Sequence, residues 1–341
     1  MKKMAEKRFG NYQGTEVKIF TLKSEKLEVD VIELGATLHR VRAKGKDGQW
    51  YDVVLFHNTL EDYLNSSAYW SAVCGRHANR IAKGEIRIAG KIYHSDINEG
   101  NNSLHSGKDG FHFKVFNGKQ ETEDAVSLTR LSPDGEQGFP GNMLVKITYT
   151  ITPENGVKIT YQTTTDKDTV WNITNHAYFN LAGKGTVLDH ILYVNSDFYT
   201  PVDDELLTTG EIIQVEETPY DLRTPILLNT RIGNDTGKLA DGFDNNFVLR
   251  RPGEGVQADL YCPQTGIGVQ LYTSLPAVQI YSAAAMNGEL SSGGNPVPQF
   301  GGLCMETQYF PNSFAHTHFP QPIQKAGTLV KEETEYRFYN K

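Results

Sequence analysis

The dominant period along the chain is two. Val145, Ile147, Tyr149 and Ile151 alternate with Lys146, Thr148, Thr150 and Thr152, as in a strand with one face in a core and the other in water. The alternation resumes at Val157, Ile159 and Tyr161, so the intervening Asn155-Gly156 is predicted to sit in a short hairpin connection. Leu27, Val29 and Val31 repeat the pattern early, and residues 84–96 are predicted to form another hairpin turning at Ala89-Gly90. A helical period is scarce; residues 58–66 carry the one short helix that the pattern suggests.

Turn signals punctuate the whole chain, with 32 glycines and 14 prolines spread evenly. There is no linker, repeat, low-complexity tract or break in composition. Many short antiparallel strands in one continuous unit predict an all-β class, a large antiparallel β-sandwich with few short helices. All 341 residues are expected to form a single domain, 1–341, since sandwiches often exceed the usual domain length. Two curved sheets of that size leave a concave face where side chains from distant strands converge.

Composition narrows the function. The net charge is −8, from 33 basic and 41 acidic residues, with no run of lysine and arginine, so neither a nucleic acid nor an anionic membrane is an expected partner. No eighteen apolar residues run together, and the charged N-terminal tract has no apolar segment after it, so neither a membrane span nor a signal peptide is expected. Cys74, Cys262 and Cys304 form neither a disulfide framework nor a zinc pattern, which favours a cytoplasmic protein. Phosphate-binding glycine loops are missing, and His77, His94, His105 and His112 lack helical zinc spacing. No cofactor and no metal is therefore expected.

Four stretches carry candidate chemistry. His176 lies among asparagines and aromatics in residues 171–183; it reads either as a structural histidine satisfied by neighbouring amides or as a general acid. His105 sits between glycine-rich flanks in residues 98–111, which suits a ligand loop and a surface loop equally. Arg76, Asn79 and Arg80 follow one another in residues 75–84, a set able to clamp hydroxyls or to form a solvated turn. Asp244 and Glu306 each stand near aromatics, and Glu306 ends the apolar run Leu303-Cys304-Met305. An acid at the end of a buried strand, facing a cleft, acquires a shifted pKa and can serve as a base.

The order of these motifs says more than any one of them. ANRI (78–81), LHSG (104–107), TNHAYFNL (174–181), FDNNF (243–247) and METQ (305–308) resemble the succession found in the aldose 1-epimerases, the galactose mutarotase family. The similarity spans essentially the whole chain, taking in LGATL (34–38), YDVVLF (51–56), DGEQGFPG (134–141) and YTPVDDELLTTGE (199–211). The resemblance implies a galactose mutarotase-type supersandwich that interconverts the α and β anomers of free aldoses such as galactose and glucose. It implies His176 as general acid and Glu306 as general base, placed on opposite sides of the anomeric centre, with His105 near the sugar's ring oxygen. Arg80, Asp244, Asn79 and Gln279 match substrate-binding positions. The implied partner is a free monosaccharide, and the assembly a monomer or homodimer. Three positions depart from the family pattern: Ser106 replaces a glycine, Asn245 a histidine and Phe116 a tryptophan. A hexose-phosphate epimerase, a non-catalytic sugar-binding sandwich and a glycoside hydrolase are the competing readings.

Overall fold

The computed structural model describes residues 6–286, 288, 289, 291 and 296–341; the first five residues of the charged N-terminal tract lie outside that set. Three antiparallel sheets dominate. The largest has nine strands in the order Asn117–Thr122, Ala125–Ser132, Met143–Ile151, Gly156–Thr165, Leu329–Asn340, Ile267–Thr273, Ala258–Tyr261, Ile191–Val194, Ile226–Leu227. A six-stranded sheet runs Tyr178–Phe179, Leu303–Gln308, Ala277–Tyr281, Asp244–Leu249, Ser196–Thr200, Ile213–Gln214. Five N-terminal strands, from Glu6–Tyr12 to Trp50–Asp52, form the third in chain order.

The alternating residues behave as their polarity requires. Val145, Ile147, Tyr149 and Ile151 are buried, while Lys146, Thr148 and Thr150 are only half-buried. The two predicted hairpins form: Met143–Ile151 pairs with Gly156–Thr165, and Glu85–Ile88 with Lys91–His94. Ala89-Gly90 form a two-residue connection and take the left-handed backbone it demands (φ 49° and 79°); the other turn is longer and takes that conformation at Asn155 (φ 60°). The short helix is Leu60–Asn65, where Thr59 and Asp62 cap each other reciprocally and Leu60 and Tyr63 face inward. No helix among the described residues is long and apolar enough to cross a membrane.

One continuous core joins the sheets. It includes Val145 and Ile147 of the nine-stranded sheet, Val29 and Val31 of the five-stranded sheet, and Phe247, Ile280 and Met305 of the six-stranded sheet. Leu303–Gln308 is buried along its whole length, so both of its faces are occupied. One face belongs to the core; the other looks into a cleft.

Candidate active site

Strand register decides which side chains meet in that cleft. Directly paired residues project from the same face of a sheet, and a one-residue slip would exchange the faces. Asn246 pairs with Gln279, which pairs with Glu306; Asp244 pairs with Tyr281, which pairs with Cys304, which pairs with Tyr178. These rows form one polar face. The alternate set, including Phe247, Val278, Ile280 and Met305, enters the core. Asn245 pairs with Ile280 and so belongs to that alternate set; the family departure there lies off the cleft face.

His176 reaches the face from a neighbouring segment. Its backbone is tied to Ser71 and Ala72, and the Asn175 amide donates to Ser71 O at 2.7 Å. The next residues, Tyr178–Phe179, pair with Cys304–Leu303, bringing the imidazole over the sheet. Its Nε2 lies 3.6 Å from Glu306 Oε1, and its Nδ1 lies 3.6 Å from the Cys304 thiol. The imidazole and the carboxylate thus stand side by side rather than across from one another. That arrangement suits proton transfer at two oxygens bonded to the same carbon.

A strained turn presents His105. Residues His105, Ser106 and Gly107 all have positive φ (49°, 72° and 88°). Left-handed backbone costs a non-glycine residue of order 1 kcal/mol. Ser106 gains a compensation: its Oγ accepts from His77 N–H at 2.7 Å and donates to His77 O at 3.0 Å. Asn98 closes the loop by bonding both the N–H and the carbonyl of Leu104. Asn79 completes the placement, since its carbonyl accepts from His105 N–H and its N–H donates to His105 Nδ1, both at 3.1 Å.

Asn79, Arg80, His105, His176, Asp244 and Glu306 all line one cavity of about 620 Å³, a size ordinary for a small-molecule site. Gln279 stands one step back and donates to Asp244 Oδ1 at 2.7 Å. Arg76, adjacent in sequence to this group, takes no part. Its five guanidinium hydrogens go to Ser132, Pro133, Pro140 and Thr169 in the interior.

Two residues that matter to the site carried no signal of their own in the sequence. Glu99 grips Arg80 bidentately, at 2.6 and 2.8 Å, leaving Nη1 of Arg80 turned toward Asp244 Oδ2 at 3.9 Å. Tyr69 packs its ring against His105, His112 and His176 and itself lines the cavity.

Burial governs the ionisation. It pulls His176 down to about 4 and His105 well below its ordinary value, the latter with help from neighbouring histidines and Arg80. Burial and the nearby Asp244 push Glu306 well above the carboxylate range, and Arg80 pulls it partly back. Burial therefore favours a neutral pair, with one proton on the carboxyl group, over an ion pair. Ligand atoms of His105, His176 and Glu306 lie within 4.8 Å of one another, close enough to hold a metal ion. The tautomer opposes it: with Nδ1 of His105 accepting from Asn79, the neutral ring carries its hydrogen on Nε2, where a metal would need a lone pair.

Comparison with known proteins agrees with the geometry. The family model described as Aldose 1-epimerase matches residues 18–337. A protein named galactose mutarotase from Mus musculus is 39% identical over 333 residues, covering 95% of each chain. An aldose 1-epimerase from Escherichia coli K12 is 32% identical, covering 95% of this chain and 96% of its own. A crystal structure titled galactose 1-epimerase, from Lactobacillus acidophilus, superposes with a TM-score of 0.87 at 26% identity, covering 99% of both chains. The chain belongs to the aldose 1-epimerase family.

Proposed function

We propose that this protein is a cytoplasmic aldose 1-epimerase that interconverts the anomers of free aldohexoses such as galactose and glucose, with Glu306 and His176 as its proton-transfer pair. The observation that carries this reading is the 3.6 Å approach of His176 Nε2 to Glu306 Oε1 inside a sugar-sized cavity. Three free, buried cysteines accord with a reducing compartment.

A bound pyranose changes the balance of the pair. Its C1 hydroxyl donates to Glu306 and its ring oxygen accepts from His176 Nε2–H, and both contacts stabilise the charged forms. The carboxylate then takes the hydroxyl proton as the imidazolium gives one to the ring oxygen. The C1–O5 bond breaks, its electron pair stays on O5, and the C1–O1 bond becomes a carbonyl. Ring opening leaves Glu306 protonated and His176 neutral, which is the pair that burial favours. Rotation about C1–C2 presents the other carbonyl face, and the same transfers in reverse close the ring. Each positioned group is worth roughly 10²–10⁴-fold. His105, kept neutral, offers Nε2–H to the sugar near its ring oxygen. Arg80, Asp244 and Asn79 hold hydroxyls away from C1, with Gln279 steadying Asp244.

Charge argues against the phosphorylated alternative. Glu99, Asp204, Asp241, Asp244, Glu289 and Glu306 line the cavity, and Arg80, the one arginine or lysine among its described lining residues, is already paired with Glu99. A phosphate would enter a field of its own sign. Polarimetry tests the reading: fresh α-D-galactose or α-D-glucose should reach equilibrium rotation far sooner with protein than without, while the 6-phosphates should respond weakly. An unchanged rate for every aldose would refute it.

A further inference from the structure

Asp244 is the end of a chain of buried amides. Its Oδ1 accepts from Gln279 Nε2 at 2.7 Å, and Gln279 Oε1 accepts from Gln308 Nε2 at 3.2 Å. The other hydrogen of Gln308 Nε2 goes to Asn246 Oδ1 at 3.0 Å. Gln279, Gln308 and Asn246 are all buried, and neither Gln308 nor Asn246 lines the cavity.

The chain has a direction. An ionised carboxylate only accepts, so Gln279 must turn its NH₂ toward Asp244. Its carbonyl oxygen then requires a donor, and Gln308 is the donor in contact. As the chain stands, Gln308 Oε1 and Asn246 Nδ2 are its buried atoms without a partner; reversing Gln308 would add carbonyl-against-carbonyl contacts at both Gln279 and Asn246, a costlier arrangement.

We propose that Gln308 is a positioning residue for the sugar-binding carboxylate of Asp244, acting through Gln279 without touching the sugar. The inference rests on the mutarotase reading only in giving Asp244 a sugar hydroxyl to hold. With Oδ1 committed to Gln279, Oδ2, beside Nη1 of Arg80, is left for the ligand. Gln279 has three rotatable bonds, and an untethered amide could swing away from Asp244 into other rotamers. Gln308 removes that freedom before the sugar arrives.

The same chain biases ionisation. Burial raises the Asp244 carboxyl, while Arg80 and the Gln279 contact lower it. The other titratable groups near it are Glu99, Glu306, Tyr281 and Cys304, none of which the substitutions below alter.

Two variants test the proposal. Gln308→Met keeps the length of the side chain but donates no hydrogen bond; Gln308→Glu keeps the shape and reverses the polarity. Galactose anomerisation is followed by polarimetry across pH, and galactose affinity by calorimetry. For Gln308→Met, KM and Kd should rise about tenfold, equivalent to about 1.4 kcal/mol, with kcat within about twofold. The acid limb of kcat/KM should move to higher pH, because Asp244 loses a contact that favours its charged form. Gln308→Glu should raise KM further, since its carboxylate draws the NH₂ of Gln279 away from Asp244. Wild-type KM and an unmoved limb in folded Gln308→Met overturn the proposal, as does a fall in kcat at constant KM. If that variant does not fold, KM of Gln308→Glu decides, raised in support or unchanged in refutation. Failure of both to fold would mark Gln308 as purely structural and overturn the proposal. A wild type that binds galactose without accelerating its anomerisation would refute the mutarotase reading alone, and Kd of the variants would still judge Gln308; a wild type that binds no aldose overturns both.

Discussion

Nδ1 of His105 accepts a hydrogen bond from the backbone N–H of Asn79 at 3.1 Å, and this contact sets what the ring offers a ligand. Nε2 keeps its hydrogen and acts as a donor toward the cleft. Binding a cation there would need Nδ1 protonated and aimed at another donor. Exhaustive treatment with EDTA is therefore expected to leave the anomerisation rate unchanged, and micromolar Zn²⁺ to leave it uninhibited. A rate that collapsed on chelation and returned with metal would contradict the tautomer assigned to His105.

The proposed pair holds one proton between Glu306 and His176, and the two limbs of its kcat/KM profile, which reports the free enzyme, follow from that count. Below about pH 4, the value to which burial pulls His176, both groups are protonated, the base is lost, and kcat/KM falls with falling pH. Above the raised Glu306 value both are deprotonated, the acid is lost, and kcat/KM falls with rising pH. Burial and Asp244 hold that second limb well above the ordinary carboxyl value of 4.5. Stopped-flow polarimetry across pH should show a plateau opening near pH 4 and extending well above that ordinary carboxyl value. A kcat/KM already declining as pH rises through 4.5 would contradict the raised carboxyl.

Arg76 spends all five hydrogens inside the protein, so its removal is a stability event rather than a binding one. Arg76→Met leaves the carbonyls of Ser132, Pro133 and Pro140 short of a charged donor, at a cost of about 3 kcal/mol or more. The melting temperature should fall by several degrees, while KM for galactose stays at its wild-type value in the folded protein. Normal melting with a raised KM would return Arg76 to the sugar pocket.

Much of the scaffold was legible because its signals are local. The alternation in residues 145–161 and the short helical pattern in residues 58–66 each act within a few residues, and the structure forms the elements they announce. The site is a different matter. His176 and Glu306 belong to segments far apart in the chain, and only the pairing of Tyr178–Phe179 with Leu303–Gln308 brings them together; no period or spacing records that pairing, which is why the order of motifs was needed. Arg76 and Arg80 look alike in sequence, yet one enters the interior and the other the cleft. Glu99 sits in a polar loop where any acid would look solvated. Its importance comes from the guanidinium opposite it, set there by the pairing of Arg80 with Leu104.

In the proposed reaction one carboxylate, Glu306, takes the proton from the C1 hydroxyl. Glu306→Gln keeps the shape of the side chain and its place opposite Gln279 but removes the base. The anomerisation rate of α-D-galactose at saturating sugar, measured by polarimetry beside a calorimetric Kd, is the direct test. Kd is expected within a few-fold of wild type and kcat reduced by about 10²-fold or more. A Glu306→Gln variant that turns over galactose at near wild-type rate would contradict it.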